Sequence, residues 1–315
     1  MELNLQKFTP KDYPRYLEFY NRVHPDNILG LEMLKETEGR YSTGAFFERY
    51  LLEHNQELIA ATTLRSDLGK TSIVGIIISM VIDPEFIHLE EILYQELLKE
   101  AKKYKPEYLK TVVRETWQHE LGFYLQNGFE ELERMWESWL DLASFDPKPF
   151  EWAEKKALAN GISFKTLAEF EDNESTQRMI YELVTTLLAD VPHEEELEIW
   201  PFELWLERFW RGSLRVDESM FLAFDDDKAV GVSMLLKGKS DDVRGTGLTG
   251  VLPEYRRKGI AQALKLQAAK YAQAKGYQKI STSNHSINRP MLSINEAMGF
   301  EKEPAWVFWK KEITQ

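Results

Sequence analysis

The chain repeats itself once, and this repeat limits its fold more than any other feature. Asp83-Pro84-Glu85-Phe86 and Leu252-Pro253-Glu254-Tyr255 stand 169 residues apart, as do Tyr108-Leu109-Lys110 and Tyr277-Gln278-Lys279. Asn127-Gly128-Phe129 returns as Met298-Gly299-Phe300 after 171 residues. Each half then closes on an aromatic-rich stretch, residues 134–142 and 305–313. Solenoid repeats have periods of roughly 20–50 residues, so this spacing means two copies of one domain. The length of 315 residues agrees, at about 150 residues per domain. Between the copies lies Asp146-Pro147-Lys148-Pro149, whose prolines block helix in the residues before them. The expected division is a first domain over 1–143, a linker and short helix over 144–160 stopped by Gly161, and a second domain over 161–315.

Hydrophobic periodicity in the second half alternates between the two regular structures. It predicts a strand at 162–167, helices at 174–189 and 202–211, and a hairpin, 220–224 with 229–236, around Asp225-Asp226-Asp227-Lys228. A strand at 248–252 follows. Then comes a helix at 259–274 with Ile260, Leu264, Ala268 and Tyr271 on one stripe, ended by Gly276. A strand at 279–283, a helix at 290–297 and a strand at 307–311 complete the half, and the first half runs in the same order. A meander leading into a strand–helix–strand unit reads as α/β (α+β) around a mixed sheet.

Composition narrows the function. A hydrophobic fraction of 43% suits a packed core in each half. With no cysteine, disulfides, thiolate metal sites and a cysteine nucleophile are excluded. A net charge of −13 argues against a dedicated nucleic-acid binder. The longest apolar run, residues 73–82, contains Gly75 and Ser79, and a membrane span needs about 20 residues. The opening residues lack a basic and apolar leader, so no signal peptide and a cytoplasmic location are expected. Oligomeric state leaves no trace in the sequence. The six histidines, at 24, 54, 88, 119, 193 and 285, form no ligand-like pair, so no metal site is proposed.

The segment that carries chemistry is Thr249-Gly250-Val251-Leu252-Pro253-Glu254-Tyr255-Arg256-Arg257-Lys258-Gly259-Ile260-Ala261. A strand ends, a basic loop follows, and Gly259 opens a long amphipathic helix. The first amides of that helix have no internal partners, and the helix dipole is positive there. Three cations precede them, Gly259 lets a ligand approach the backbone, and Ala261 keeps the first turn narrow. These are the parts of a diphosphate site.

Arg256-x-x-Gly259-x-Ala261 resembles the Q/R-x-x-G-x-G/A motif of the GCN5-related N-acetyltransferases (GNAT). Val251 before it, Asn288 after the next strand, and Met298-Gly299-Phe300 closing the last helix extend the resemblance over 161–315. The paired halves look like tandem members of the mycothiol synthase type. The resemblance implies two tandem acyl-CoA N-acyltransferase-like domains, each with a mixed, mostly antiparallel sheet flanked by helices, and acetyl-CoA as co-substrate. The amides of Arg257, Lys258, Gly259, Ile260 and Ala261 would hold the pyrophosphate, with Arg256 beside them. The strand Thr249–Leu252 would part from its neighbour at 279–283, and pantetheine would lie in the gap. Val251 N–H would stabilise the oxyanion, and Asn288 would contact pantetheine or the CoA end. The acceptor would be an amine of a small molecule or peptide, attacking the thioester directly.

Two positions depart from that pattern. Many members carry a tyrosine four residues before the glycine of the closing Gly-Phe, where it can protonate the leaving thiolate; here Asn295 stands there. The strand before the loop offers no carboxylate as general base, which leaves Asp190, His193, Glu194 and Glu195 as candidates. The acidic run 194–198 also reads as a solvated helix start or as an attractor for a cationic acceptor.

In the first half the matching segment is Pro84-Glu85-Phe86-Ile87-His88-Leu89-Glu90-Glu91. Arginines and glycine are gone, and carboxylates stand where a diphosphate needs donors. The tyrosine is retained at Tyr124, as packing. This copy is expected to be degenerate and non-catalytic. Alternatives for the whole chain are a CoA-binding sensor or scaffold without catalysis, and a tandem-fold aminoacyl transferase, which the intact loop at 256–261 counts against. Gly245-Thr246-Gly247-Leu248-Thr249-Gly250 fits a dinucleotide fingerprint only formally, since it enters a strand rather than opening a helix; it reads as a hairpin and a bulged strand. Trp200, Trp205 and Trp210, five apart, are expected to spread around their helix rather than line one face, and to pack in the core or at a domain interface.

Overall fold

A computed structural model describes residues 4–39, 41, 45–67, 74–192, 199–212, 214–238 and 240–313. In chain order the strands are β1 (Gln6–Lys7), β2 (Phe47–His54), β3 (Glu57–Ser66), β4 (Gly75–Ile82), β5 (Tyr108–Arg114), β6 (Glu130–Asp141), β7 (Ile162–Thr166), β8 (Met220–Asp225), β9 (Lys228–Lys237), β10 (Val243–Val251), β11 (Lys279–His285), β12 (Glu301–Lys302) and β13 (Trp306–Glu312). The helices are α1 (Tyr13–Val23), α2 (Leu31–Gly39), α3 (Glu90–Lys102), α4 (Gln118–Gln126), α5 (Glu151–Ala159), α6 (Glu174–Ala189), α7 (Phe202–Trp205), α8 (Ile260–Ala274) and α9 (Arg289–Ala297).

The chain forms two compact units, Met1–Leu132 with Val307–Gln315, and Glu133–Trp306. They differ from the division by chain order at 143 and 161. Most of β6, which ends the first half of the chain, belongs to the second unit, and almost all of β13, which ends the chain, belongs to the first. The sequence repeat records order along the chain, and an exchange of last strands leaves that order unchanged. The expected linker helix is α5, stopped by Gly161 at φ +79°, and it lies inside the second unit.

The first unit orders its sheet β1-β2-β3-β4-β5-β13. The second orders its own β6-β11-β10-β9-β8-β7, with β12 beside β6. Pairing is antiparallel at β1–β2, β2–β3 and β3–β4 and again at β6–β11, β9–β10, β8–β9 and β7–β8, while β4–β5 and β10–β11 are parallel. Each unit thus has the expected mixed, mostly antiparallel sheet.

Strand periodicity distributes the second unit's core over both faces of its sheet. From β8, Phe221 and Ala223 join the cluster that holds α5 and α8, while Met220, Leu222 and Phe224 join the one that holds α6 and α7. Small side chains let α5 and α8 approach closely: Ala153, Ala157 and Ala263 are all fully buried. In the first unit Leu64, Ile76, Tyr94, Phe129 and Val307 share one core, and Tyr16, Phe19, Leu51 and Val81 share another.

The tryptophans correct one expectation. Trp205 and Trp210 are both buried, with ring centroids 5.4 Å apart, and Trp200 is 40% exposed. Residues Leu206–Trp210 form a π-turn, and Arg211 N–H donates to Leu206 C=O across five residues at 3.0 Å. An α-helix would set residues five apart on different faces; the wider π-turn brings them back together.

Candidate active site

Strands β10 and β11 pair only at Val243–Lys279, Arg244–Ile280 and Gly245–Ser281. Beyond that point β10 follows β9 and β11 follows β6, so the sheet opens between them. The parting coincides with a register shift between Thr246 and Thr249. This is the expected bulged strand, and a Cβ on Gly247 within it would stand 2.8 Å from Met234 Cγ. Leu252 N–H donates to Val230 C=O at 2.9 Å. Antiparallel alternation therefore turns Val251 N–H and C=O away from β9, toward the opening. The Val251 C=O accepts from Arg256 Nε at 3.2 Å.

After a 3-10 turn at Pro253–Tyr255, the chain takes left-handed conformations at Arg257 (φ +64°) and Gly259 (φ +83°). Gly259 caps α8 and has no side chain to satisfy the first amides, which stay available to a ligand. Its place is fixed by two things: the positive φ, and the approach of α5, because a Cβ there would stand 3.2 Å from Ala153 C=O. Lys156, also on α5, donates from Nζ to Arg257 C=O at 3.1 Å. The linker helix thus braces the loop, a contribution absent from the sequence reading.

A cavity of about 610 Å³ runs along this corner. It brings together Thr249, Val251, Arg256, Arg257, Gly259, Ile260, Ala261 and Asn288 from the expected set. Thr249 hydroxyl bonds Ser233 hydroxyl at 2.8 Å, and Asn288 Oδ1 accepts from Met291 N–H at 3.4 Å, capping α9. Leu252, Lys258 and Asn295 are not among its lining residues. Leu252 is packed against both cores, and the Lys258 ammonium sits 4.8 Å from the Tyr255 ring centroid. Asn295 is buried, and its Nδ2 donates to Asn284 Oδ1 on β11 at 2.6 Å. Trp152, Lys156, Leu187, Tyr255, Met291 and Ile294 also line the cavity and were missed from sequence. Tyr255 stood in the repeat and in the loop segment without a role of its own.

Asp190, at the end of α6, is ion-paired with Arg256. Asp190 lines the cavity, and the pair ties the end of α6 to the loop. His193, Glu194 and Glu195 lie outside the described residues.

The first unit repeats the parting: β4 and β5 pair only at Gly75–Tyr108, Ile76–Leu109 and Ile77–Lys110. Its β4 has no register shift against β3, and none of residues 83–91 takes a positive φ. Glu90, the counterpart of Gly259, is buried at the first turn of α3, with its carboxylate 2.8 Å from His119 Nε2. Burial raises its pKa above the usual carboxylate range. Tyr124 is packed edge-on against Phe123 and Phe129, and burial raises its hydroxyl pKa.

Two units of one mixed-sheet plan, each parted between its parallel strands, define a tandem N-acyltransferase fold. Residues 179–300 match the model described as acetyltransferase (GNAT) family. An uncharacterized N-acetyltransferase, YokL, derived from the SPbeta prophage of Bacillus subtilis (strain 168), is 31% identical over 102 residues. That match covers 31% of this chain and 55% of the relative, so the chain spans about half of that relative's length. The crystal structure of a GCN5-related N-acetyltransferase from Sphaerobacter thermophilus superposes with a TM-score of 0.75 at 20% identity, covering 99% of this chain and 96% of that one. A tandem GNAT protein from the clavulanic acid biosynthesis pathway gives 0.72 at 17% identity, covering 100% and 99%. Residues 179–300, which lie in the second unit, thus match the GNAT family, whose general chemistry is acyl transfer, and the whole chain has the fold of the tandem GNAT structure. Among the described residues no helix is long and apolar enough to cross a membrane.

Proposed function

We propose that the second unit is an N-acetyltransferase that moves the acetyl group of acetyl-CoA directly to an amine of a small molecule or peptide. The observation that carries this reading is the parting of β10 from β11 with the Val251 amide turned into it, next to a loop whose left-handed residues open the start of α8. The site suits the co-substrate on its own chemistry: uncapped helix amides for a diphosphate, then an opened strand edge for an amide-bearing arm. Bound there, the thioester supplies the activated acyl group. The amides from Arg257 to Ala261 hold the diphosphate. The Val251 N–H donates to the thioester oxygen as charge develops on it. Arg256, tied to Val251 C=O and Asp190, positions that strand end. Asn295 acts as a positioning residue through Asn284 on β11.

In this reading the first unit binds no coenzyme, because Glu90 brings a carboxylate to the place of the loop glycine. The test is calorimetry with acetyl-CoA, followed by release of free CoA with a panel of amines. The full chain should bind and turn over, and Gly259→Val should lose binding together with some stability, since its Cβ meets Ala153. Glu90→Gln should bind as the unsubstituted chain does. Tight binding without CoA release for any amine would favour the sensor reading; absence of binding would end both.

A further inference from the structure

We propose that α5, the helix between the two sequence copies, forms the nucleotide end of the coenzyme site, with Trp152 as a stacking platform for a purine base and Lys156 as partner of the phosphate on its ribose. This rests on the acetyl-CoA reading and adds to it a wall that the loop motif does not contain. Trp152 is 49% exposed, yet it lines the cavity. Its Cζ3 comes within 3.6 Å of where a Cβ on Gly259 would stand, so the indole abuts the residue that opens α8. Lys156 follows one helical turn later, with Nζ 6.0 Å from the indole centroid. One of its protons is given to Arg257 C=O at 3.1 Å, and an ammonium has two more to give.

Direction follows from the loop. With the diphosphate on the amides at 257–261 and the acyl arm running inward to Val251, the nucleoside continues on the other side of the loop. On that side α5 offers an aromatic face and a cation. The facing helix α9 contributes Asn288, whose side chain caps its own helix, together with Pro290 and Met291. Base stacking on an indole and charge-assisted binding of a phosphate are both supplied by α5 alone.

The experiment is calorimetry on the full chain with acetyl-CoA, its 3′-dephospho form, and S-acetyl-4′-phosphopantetheine, which lacks the nucleoside. Trp152→Ala should weaken acetyl-CoA about tenfold, the loss of one stacked base, and leave S-acetyl-4′-phosphopantetheine unchanged. Trp152→Phe should recover most of that loss, and Lys156→Ala should narrow the preference for acetyl-CoA over the 3′-dephospho form. Unchanged acetyl-CoA affinity in Trp152→Ala overturns the proposal. So does an equal loss for both acetylated ligands, which would assign Trp152 to holding the loop, and so does an undiminished 3′-phosphate preference in Lys156→Ala. Failure of the unsubstituted chain to bind acetyl-CoA is the separate result that overturns the coenzyme reading, and this proposal with it.

Discussion

Lys265 sits on α8 between Leu264 and Leu266 and is only 4% exposed. Its ammonium lies 4.8 Å from the Phe300 ring centroid, and among the described residues no carboxylate pairs with it. Burial lowers its pKa from 10.5 to about 7. Below pH 7 the folded chain must hold a buried charge that the unfolded chain leaves in water. Between about 7 and 10.5 the unfolded state binds more protons, so this residue's contribution to stability rises with pH across that window. Lys265→Met should therefore stabilise the protein most below pH 7, by on the order of 5 kcal/mol, with the gain fading toward pH 10.5. Denaturant melts of both proteins across that range would show it, and a constant difference would mean that Lys265 reaches solvent.

At the level of elements, the Trp205–Trp210 pair depends on the π-turn that realigns residues five apart. Trp210 also donates from Nε1 to Asp172 Oδ1 at 2.9 Å and receives the Arg215 guanidinium at 4.3 Å from its ring centroid. Trp210→Ala should cost about 3–5 kcal/mol of stability, as for other buried tryptophans, measured by urea unfolding; a loss below about 1 kcal/mol would place the side chain outside the core. Helix α8, the bulged β10 and the loop between them were legible in the sequence, because periodicity and glycine positions are local signals. The π-turn was not, since five-residue spacing has no meaning until the turn type is known. Nor were Trp152 and Lys156: about a hundred positions separate them from Arg257, and only the packing of α5 on α8 brings them to it. Asp190 stood among the candidate bases from its position after α6, and its partner Arg256 was invisible for the same reason.

For the whole molecule, the repeat disclosed two copies but not how the chain divides between them, because strands with matching patterns can complete either sheet. Val307 and Trp309 of β13 are buried in the core of the first unit with Leu64, Ile76 and Tyr94. Deleting residues 307–315 should therefore strip hydrogen-exchange protection from β4, β5 and α3 while sparing β8 and β9. Equal loss across both units, or loss confined to the second, would contradict the assignment of β13.

Synthesis on the ribosome runs against this arrangement. Every residue of the second unit has been made once Trp306 is added, whereas the first unit still lacks Val307 onward. The half that is translated first is the half finished last. A chain cut after Trp306 would hold all of the second unit and leave β5 of the first without the strand beside it.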